Sequence, residues 1–232
     1  MSTSTVPVRS TGRVVEHGEG DHGRPWSLAL LAAPVLLFVG YALHPDLPED
    51  TASALADVGD GRGQYLAAKL LVAVGALGLA PLVAAVARRV IASGRGRGLA
   101  IAGAALTIVG TAFNAFSQFA FGYLLWFATA SDVSREAGEA VVSASEEEGL
   151  ATLPVSFLSV PVFAVGLLLV AAALWRSGRV PRWVPILLVV GNVLASAIGV
   201  GPLMLIPGVM VTSAFWGALL MTRTEGPVAL AP

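Results

Sequence analysis

Six apolar runs organise the chain: Trp26 to Leu43, Tyr65 to Ala87, Leu99 to Phe127, Leu153 to Trp175, Trp183 to Val200 and Leu203 to Met221. Each meets or approaches the ~20 residues with which a helix crosses about 30 Å of hydrocarbon, where every backbone N–H and C=O has to find its partner inside the segment. The pattern predicts an all-α, polytopic transmembrane helix bundle of six spans. Only Gly201 and Pro202 separate the last two runs, which requires a tight turn there; a re-entrant fifth segment is the alternative. A cleaved signal peptide ending at Ala42 is the alternative for the first run, and the long polar leader before it argues against cleavage.

The segments between the runs carry patterns of their own. Val133, Ala137, Ala140, Val141 and Ala144 recur at helical spacing, with Arg135, Glu136, Glu139 and Glu147 on the other faces. This predicts a short helix lying over the mouth of the bundle, and a shorter one is expected around Ala52 to Val58. Residues 1–25 hold Ser, Thr, Gly and scattered charges but too few apolar positions to pack, and read as a disordered tail. The transmembrane domain then covers 26–222, and 223–232 form a second short tail.

Composition places the chain in lipid: 56% hydrophobic and 12% charged residues, with a mean hydropathy of +0.78, against about 25% charge in a soluble domain. A net charge of −1 gives no reason to expect a nucleic-acid partner. The absence of cysteine excludes disulfides, thiolate metal sites and thiol nucleophiles. Lys69 is the only lysine beside thirteen arginines, and Ala, Gly and Val abound, which points to a high-GC bacterial genome.

Charge also orients the bundle. Eleven basic residues, among them Arg88, Arg89, Arg95, Arg97, Arg176, Arg179 and Arg182, fall on one side with four carboxylates; three basic residues fall on the other with eleven carboxylates. Because arginine-rich loops stay in the cytoplasm, both termini are expected there, in the inner membrane. Trp26, Trp175, Trp183 and Trp216 then lie toward inner ends, and Tyr41, Tyr65, Tyr123 and Trp126 toward outer ends.

Polar residues inside the runs are the candidates for function. In the third run Gly103, Thr107, Gly110, Asn114, Ser117 and Phe121 alternate at steps of four and three, the seam of a packed helix, with Thr111 and Gln118 flanking it and Phe113, Phe116 and Phe119 turned elsewhere. The fifth run answers with Gly191, Ala195 and Gly199, and with Asn192 and Ser196 one residue along. Asn114 or Gln118 is therefore expected to meet Asn192 or Ser196. These amides either satisfy one another or line a site for the polar head of an amphipathic ligand; Asn114, Ser117, Gln118, Asn192 and Ser196 form the candidate binding set. Pro81, Pro161, Pro185 and Pro207 are expected to interrupt four helices and free backbone carbonyls.

At the outer rim, Lys69 is expected to snorkel outward toward Asp46 or Glu49. His44, Asp46 and Lys69, with Tyr65 nearby, are the candidate catalytic groups for a membrane-embedded enzyme, since a histidine there can act as acid or base. HGEGDH, His17 to His22, holds the ingredients of a weak metal site, but flexible tails produce such clusters by chance, so no metal and no cofactor is expected. No carboxylate sits within a run, and no phosphate loop, dinucleotide fingerprint, HExxH or GxSxG occurs. GRGRG, Gly94 to Gly98, reads as an inner loop touching anionic headgroups. A parallel repeat is suggested by the AVG triplets at Ala73–Gly75 and Ala164–Gly166, each opening a hairpin whose return helix bears asparagine.

YALHPDLPED after the first run, RGQYLAAKLL opening the second and WRSGRVPRW between the fourth and fifth resemble uncharacterised six-helix integral membrane proteins of high-GC bacteria. That resemblance implies the fold and no activity. Two functions follow as expectations: a non-enzymatic protein that binds a lipid-like or small apolar molecule or serves as a subunit or regulator of a membrane assembly, or an enzyme acting on an isoprenoid or lipid substrate at the outer face. Membrane lipids and a membrane-protein partner are the expected associates. A facilitative transporter would require a polar path joining both faces.

Overall fold

The computed structural model describes residues 29–48, 50–147 and 159–221, and among them every regular element is helical. In chain order these are α1 (Ala32–Leu43), α2 (Thr51–Asp60), α3 (Arg62–Ala92), α4 (Arg97–Ala128), α5 (Arg135–Glu147), α6 (Val160–Ser177), α7 (Trp183–Ile198) and α8 (Leu205–Met221), the last preceded by a 3-10 turn at Pro202–Met204. Both tails, the HGEGDH cluster, Glu49, Glu148 and residues 153–158 of the fourth apolar run lie outside the described residues. Four helices are long and apolar enough to cross a membrane: α3, α4, α6 and the 3-10 turn with α8. The helices α1 and α7 are equally apolar but shorter; at 1.5 Å per residue they reach about 18 and 24 Å.

The six apolar helices pack as a closed circuit, α1–α3–α4–α6–α7–α8 and back to α1, and α3 also touches α6 and α8 across it. The circuit is filled with apolar side chains. Val72, Leu79, Leu82, Val83, Val86 and Val90 of α3 lie in one core with Leu167 and Leu174 of α6, Leu188 of α7 and Phe215 of α8. A second, smaller core joins Leu55 and Val58 of α2, Tyr65, Leu125 and Val142 of α5. It fastens the two short helices over one end of the bundle, as their periodicity predicts; the other end carries the arginine-rich turns.

Close approach of backbones sets the tightest crossings. A Cβ added at Gly166 of α6 would stand 2.5 Å from the Thr107 backbone nitrogen, and one at Gly110 of α4 would stand 2.6 Å from that of Phe163. Gly40 likewise lets α1 settle on Val72 and Ala68 of α3. In lipid, where apolar tails give helices no reason to associate by burial alone, such contacts and hydrogen bonds supply the attraction.

Two prolines act differently from the expectation. Pro185 and Pro207 lie in the first turns of α7 and α8, where a missing N–H has no helical acceptor to lose and the fixed φ favours entry into the helix; the segment before Pro161 lies outside the described residues. Pro81 does sit inside a helix, within the 31-residue α3. The turn between α7 and α8 is tight, as Gly201 and Pro202 require: Gly199 and Gly201 both take positive φ, and Gly201 N–H donates to the Tyr41 carbonyl at 2.9 Å.

Candidate functional site

The polar residues of α4 do not face α7. Asn114 Nδ2 donates to the Tyr41 hydroxyl of α1 at 3.1 Å, Gln118 Nε2 donates to Asn114 Oδ1 at 3.3 Å, and Lys69 Nζ of α3 donates to Gln118 Oε1 at 3.0 Å. A single chain of hydrogen bonds thus crosses α1, α4 and α3. Asn192 is buried elsewhere, its Nδ2 donating to the Ala164 carbonyl of α6 at 3.4 Å. Ser196 is exposed and bonds back to the Asn192 carbonyl, and Ser117 is buried but bonds back to Phe113 O within α4. The expected meeting of Asn114 or Gln118 with Asn192 or Ser196 is therefore corrected: Gly191 packs on Pro207, Met210 and Val211 of α8, which turns the small-residue face of α7 away from α4. The candidate binding set divides into Asn114 and Gln118, joined in one network, and Ser117, Asn192 and Ser196, which are not.

Lys69 corrects a second expectation. It does not snorkel; the residue is 8% exposed. It starts about 10 Å inside α3, two turns from Arg62, and its stem occupies the gap left by Gly122 of α4, where an added Cβ would come within 2.8 Å of Lys69 Cβ and Cγ. The ammonium lies 5.4 Å from the centre of the Tyr65 ring and 5.9 Å from that of Phe121. Ring faces and an amide oxygen are weak acceptors for a full charge. Of the two expected counter-charges, Asp46 is exposed and Glu49 lies outside the described residues.

His44 and Tyr65 complete the cluster. The histidine ends α1 in an extended conformation that the following proline favours. Its ring meets Tyr65 edge-on at 5.4 Å, and Nδ1 donates to the Pro45 carbonyl at 2.6 Å. In the neutral ring this leaves Nε2 as an acceptor. Burial, with the Lys69 charge adding to it, lowers the His44 pKa to about 4, so the ring is neutral at physiological pH. Two buried polar atoms here, His44 Nε2 and the Tyr65 hydroxyl, have no partner among the described residues, a cost of about 1–3 kcal/mol each when left unmet. Sequence reasoning passed over Tyr41 and Gly122, whose roles depend on which helices flank α4. Periodicity along one helix cannot supply that.

Arg62 adds a polar contact at the same end. Its Nη2 donates to the Trp126 carbonyl at 2.8 Å, and its guanidinium stacks 4.8 Å from the indole centre. The last turn of α4 thereby receives a cation at its carbonyl end, which the helix dipole favours.

Long apolar helices around an apolar core, with a buried polar cluster near one end, define an all-helical membrane protein. The chain belongs to the family described as Domain of unknown function (DUF4386), whose model matches residues 27–224. No curated protein and no solved structure matches it.

Proposed function

We propose that the protein spans the inner membrane of a bacterium six times with both tails in the cytoplasm, and that without enzymatic turnover it binds the acidic head of a lipid-like molecule at the end capped by α2 and α5. The observation that carries this reading is Lys69, a buried ammonium held by a neutral amide beside the buried Tyr65 hydroxyl, which has no partner among the described residues. A cation within a membrane helix marks a functional site by default, because its desolvation is repaid only by opposite charge or strong acceptors. A carboxylate or phosphate supplies both, accepting hydrogen bonds from the Tyr65 hydroxyl and the Lys69 ammonium together. Turnover of a lipid or isoprenoid at this rim is less well supported, since the Nδ1 of His44 is held by the Pro45 carbonyl rather than by a carboxylate.

The test compares the protein with Lys69→Met after purification in mild detergent, identifying co-purifying amphiphiles by mass spectrometry. Retention of an acidic amphiphile that falls at least about tenfold in the variant is expected, a change of roughly 1.4 kcal/mol; equal retention refutes the site. Orientation has its own experiment, made simple by the absence of cysteine. A membrane-impermeant thiol reagent should label a cysteine at Asp57 in intact cells and spare one at Arg95, and the opposite result would invert the topology.

A further inference from the structure

Tyr65 and Lys69 are 1% and 8% exposed, so an acidic head reaches them only when a covering element moves aside. Among the described residues α1, α2 and α5 close around them, and two of the three are firmly seated. The end of α1 is tied through the Tyr41 carbonyl to Gly201 N–H at 2.9 Å, and beside it Gly40 rests on Val72 and Ala68 of α3. In α5, Gly138 lies so close to α4 that an added Cβ would stand 2.5 Å from the Ala128 carbonyl oxygen, and Val142 is buried in the same core as Tyr65. The helix α2 is seated differently. Of its ten residues only Leu55 and Val58 are buried, both in the core around Tyr65. A cavity of about 200 Å³ separates Ala52, Ala56 and Gly59 of α2 from Ala128, Ala130 and Val133, so the helix is not packed flush against what lies beneath it.

The joint between α2 and α3 has the form of a hinge. Only Gly61 stands between the two helices, at φ −118° and ψ 27°, outside the helical region. On either side of it, Gly59 and Gly63 have no heavy atom within 4 Å of where a Cβ would stand, and neither takes a positive φ. Neither packing nor backbone conformation asks for glycine at these two positions, while each weakens its helix about fivefold against alanine. What they supply is backbone freedom at the joint. The far side of the joint is fixed, because Arg62 bonds to the Trp126 carbonyl and stacks on its ring, so α2 is the part that swings. We propose, building on the reading of Lys69 and Tyr65 as the seat of an acidic head, that α2 is a lid: it turns about Gly59 to Gly63, withdraws Leu55 and Val58 from the core around Tyr65, and opens that seat to the headgroup layer. Only two apolar side chains leave their core, so the lid stands open in about one molecule in 10²–10⁴, enough for a head to enter and rare enough to keep the ammonium dry.

The experiment follows amide hydrogen exchange of the full chain in detergent, together with the exchange of bound phosphatidic acid for an isotope-labelled copy by native mass spectrometry. The amides of α2 are expected to exchange as one unit, at least about tenfold faster than those of α5 at the same end. Gly59→Ala and Gly63→Ala should each slow them about fivefold. Ala56→Cys and Ala130→Cys in one chain, on opposite walls of the cavity and joined by a short bismaleimide, should pin α2 closed; no other cysteine competes. Pinning should slow both the α2 amides and the exchange of phosphatidic acid at least about tenfold, whereas capping either cysteine alone should not. The lid is overturned if α2 amides are no more labile than those of α5, if alanine at both joint positions changes nothing, or if phosphatidic acid that needs Lys69 for its retention exchanges equally fast in the pinned protein. Failure of the underlying reading looks different: phosphatidic acid is retained equally by Lys69→Met, or not at all, while α2 still opens and is still pinned, a result that removes the cargo and leaves only the hinge.

Discussion

The two halves of α4 hold their neighbours by different physics. From Gly103 to Gly110 the helix meets α6 backbone to backbone, with Gly166 seated against Thr107 and the hydroxyl of Thr107 returned to the Gly103 carbonyl at 2.7 Å. From Asn114 to Gly122 it meets α1 and α3 through side chains that donate and accept: Tyr41, Gln118 and Lys69. One half achieves attraction by removing side chains and the other by satisfying them. Both answer the same condition, that hydrocarbon tails offer no hydrophobic gain to helices that associate. Only the second half receives a charge from a neighbouring helix, that of Lys69, and the unpartnered His44 and Tyr65 atoms lie beside that lysine, so the site belongs there.

Substitutions that treat the two halves alike would break this contrast. The largest effect is expected from Gly166→Val: the new Cβ would stand 2.5 Å from a backbone nitrogen, which cannot move aside, so a loss of about 3 kcal/mol or outright failure to fold is expected. The measure is the thermal midpoint in detergent, with the yield of folded monomer beside it.

Next comes Gln118→Leu, which strips the ammonium of its amide oxygen and should cost about 2–3 kcal/mol. Adding Lys69→Met in the same chain should recover most of that loss, because a buried charge and its acceptor are removed together. A double variant no more stable than Gln118→Leu would show that the network is not the unit described.

Gly122→Ala sharpens the contrast from the other side. Its methyl group meets the flexible stem of Lys69 rather than backbone, so about 1 kcal/mol is expected, together with weaker retention of the acidic amphiphile as Nζ is pushed off Gln118. A loss as large as that of Gly166→Val would mean that this half too is held by backbone approach.

The smallest effect is a dependence on pH. The folded protein holds His44 near 4, below its ordinary 6.5, so between those values the unfolded chain binds a proton that the folded chain refuses. Stability contributed by the neutral ring is full above about pH 6.5 and declines as pH falls toward 4. Thermal midpoints taken across that window should fall on acidification, and His44→Gln should flatten the His44 part of the decline. An unchanged slope in the variant would remove His44 from the cluster.

Local pattern was enough for the elements. The apolar runs locate the helices to within a few residues where they are described, the 133–144 periodicity locates α5, and Gly201–Pro202 locates the last turn, because helix length in an apolar chain and turn chemistry are properties of a few neighbouring residues. The seam on α4 was legible as a stripe of small and polar residues, and the exposed Phe113, Phe116 and Phe119 bear out its far side. What the stripe touches was not legible. Asn192 has the same chemistry as Tyr41 for an amide seeking a partner, and nothing along α4 prefers one.

Sequence by itself determined that this chain is helical, apolar and unevenly charged, with one lysine and a short list of amides from which any intramembrane site must be drawn. Tertiary structure alone decided that Lys69 turns inward to Gln118, that Tyr41 and Gly122 join the cluster, and that Asn192 does not. The reason is geometric: a hydrogen bond is settled over about 3 Å, and the helices that come within that distance of one another are fixed by glycine crossings such as Gly40 on Val72 and Gly191 on Val211, each of which depends on two segments far apart in the chain.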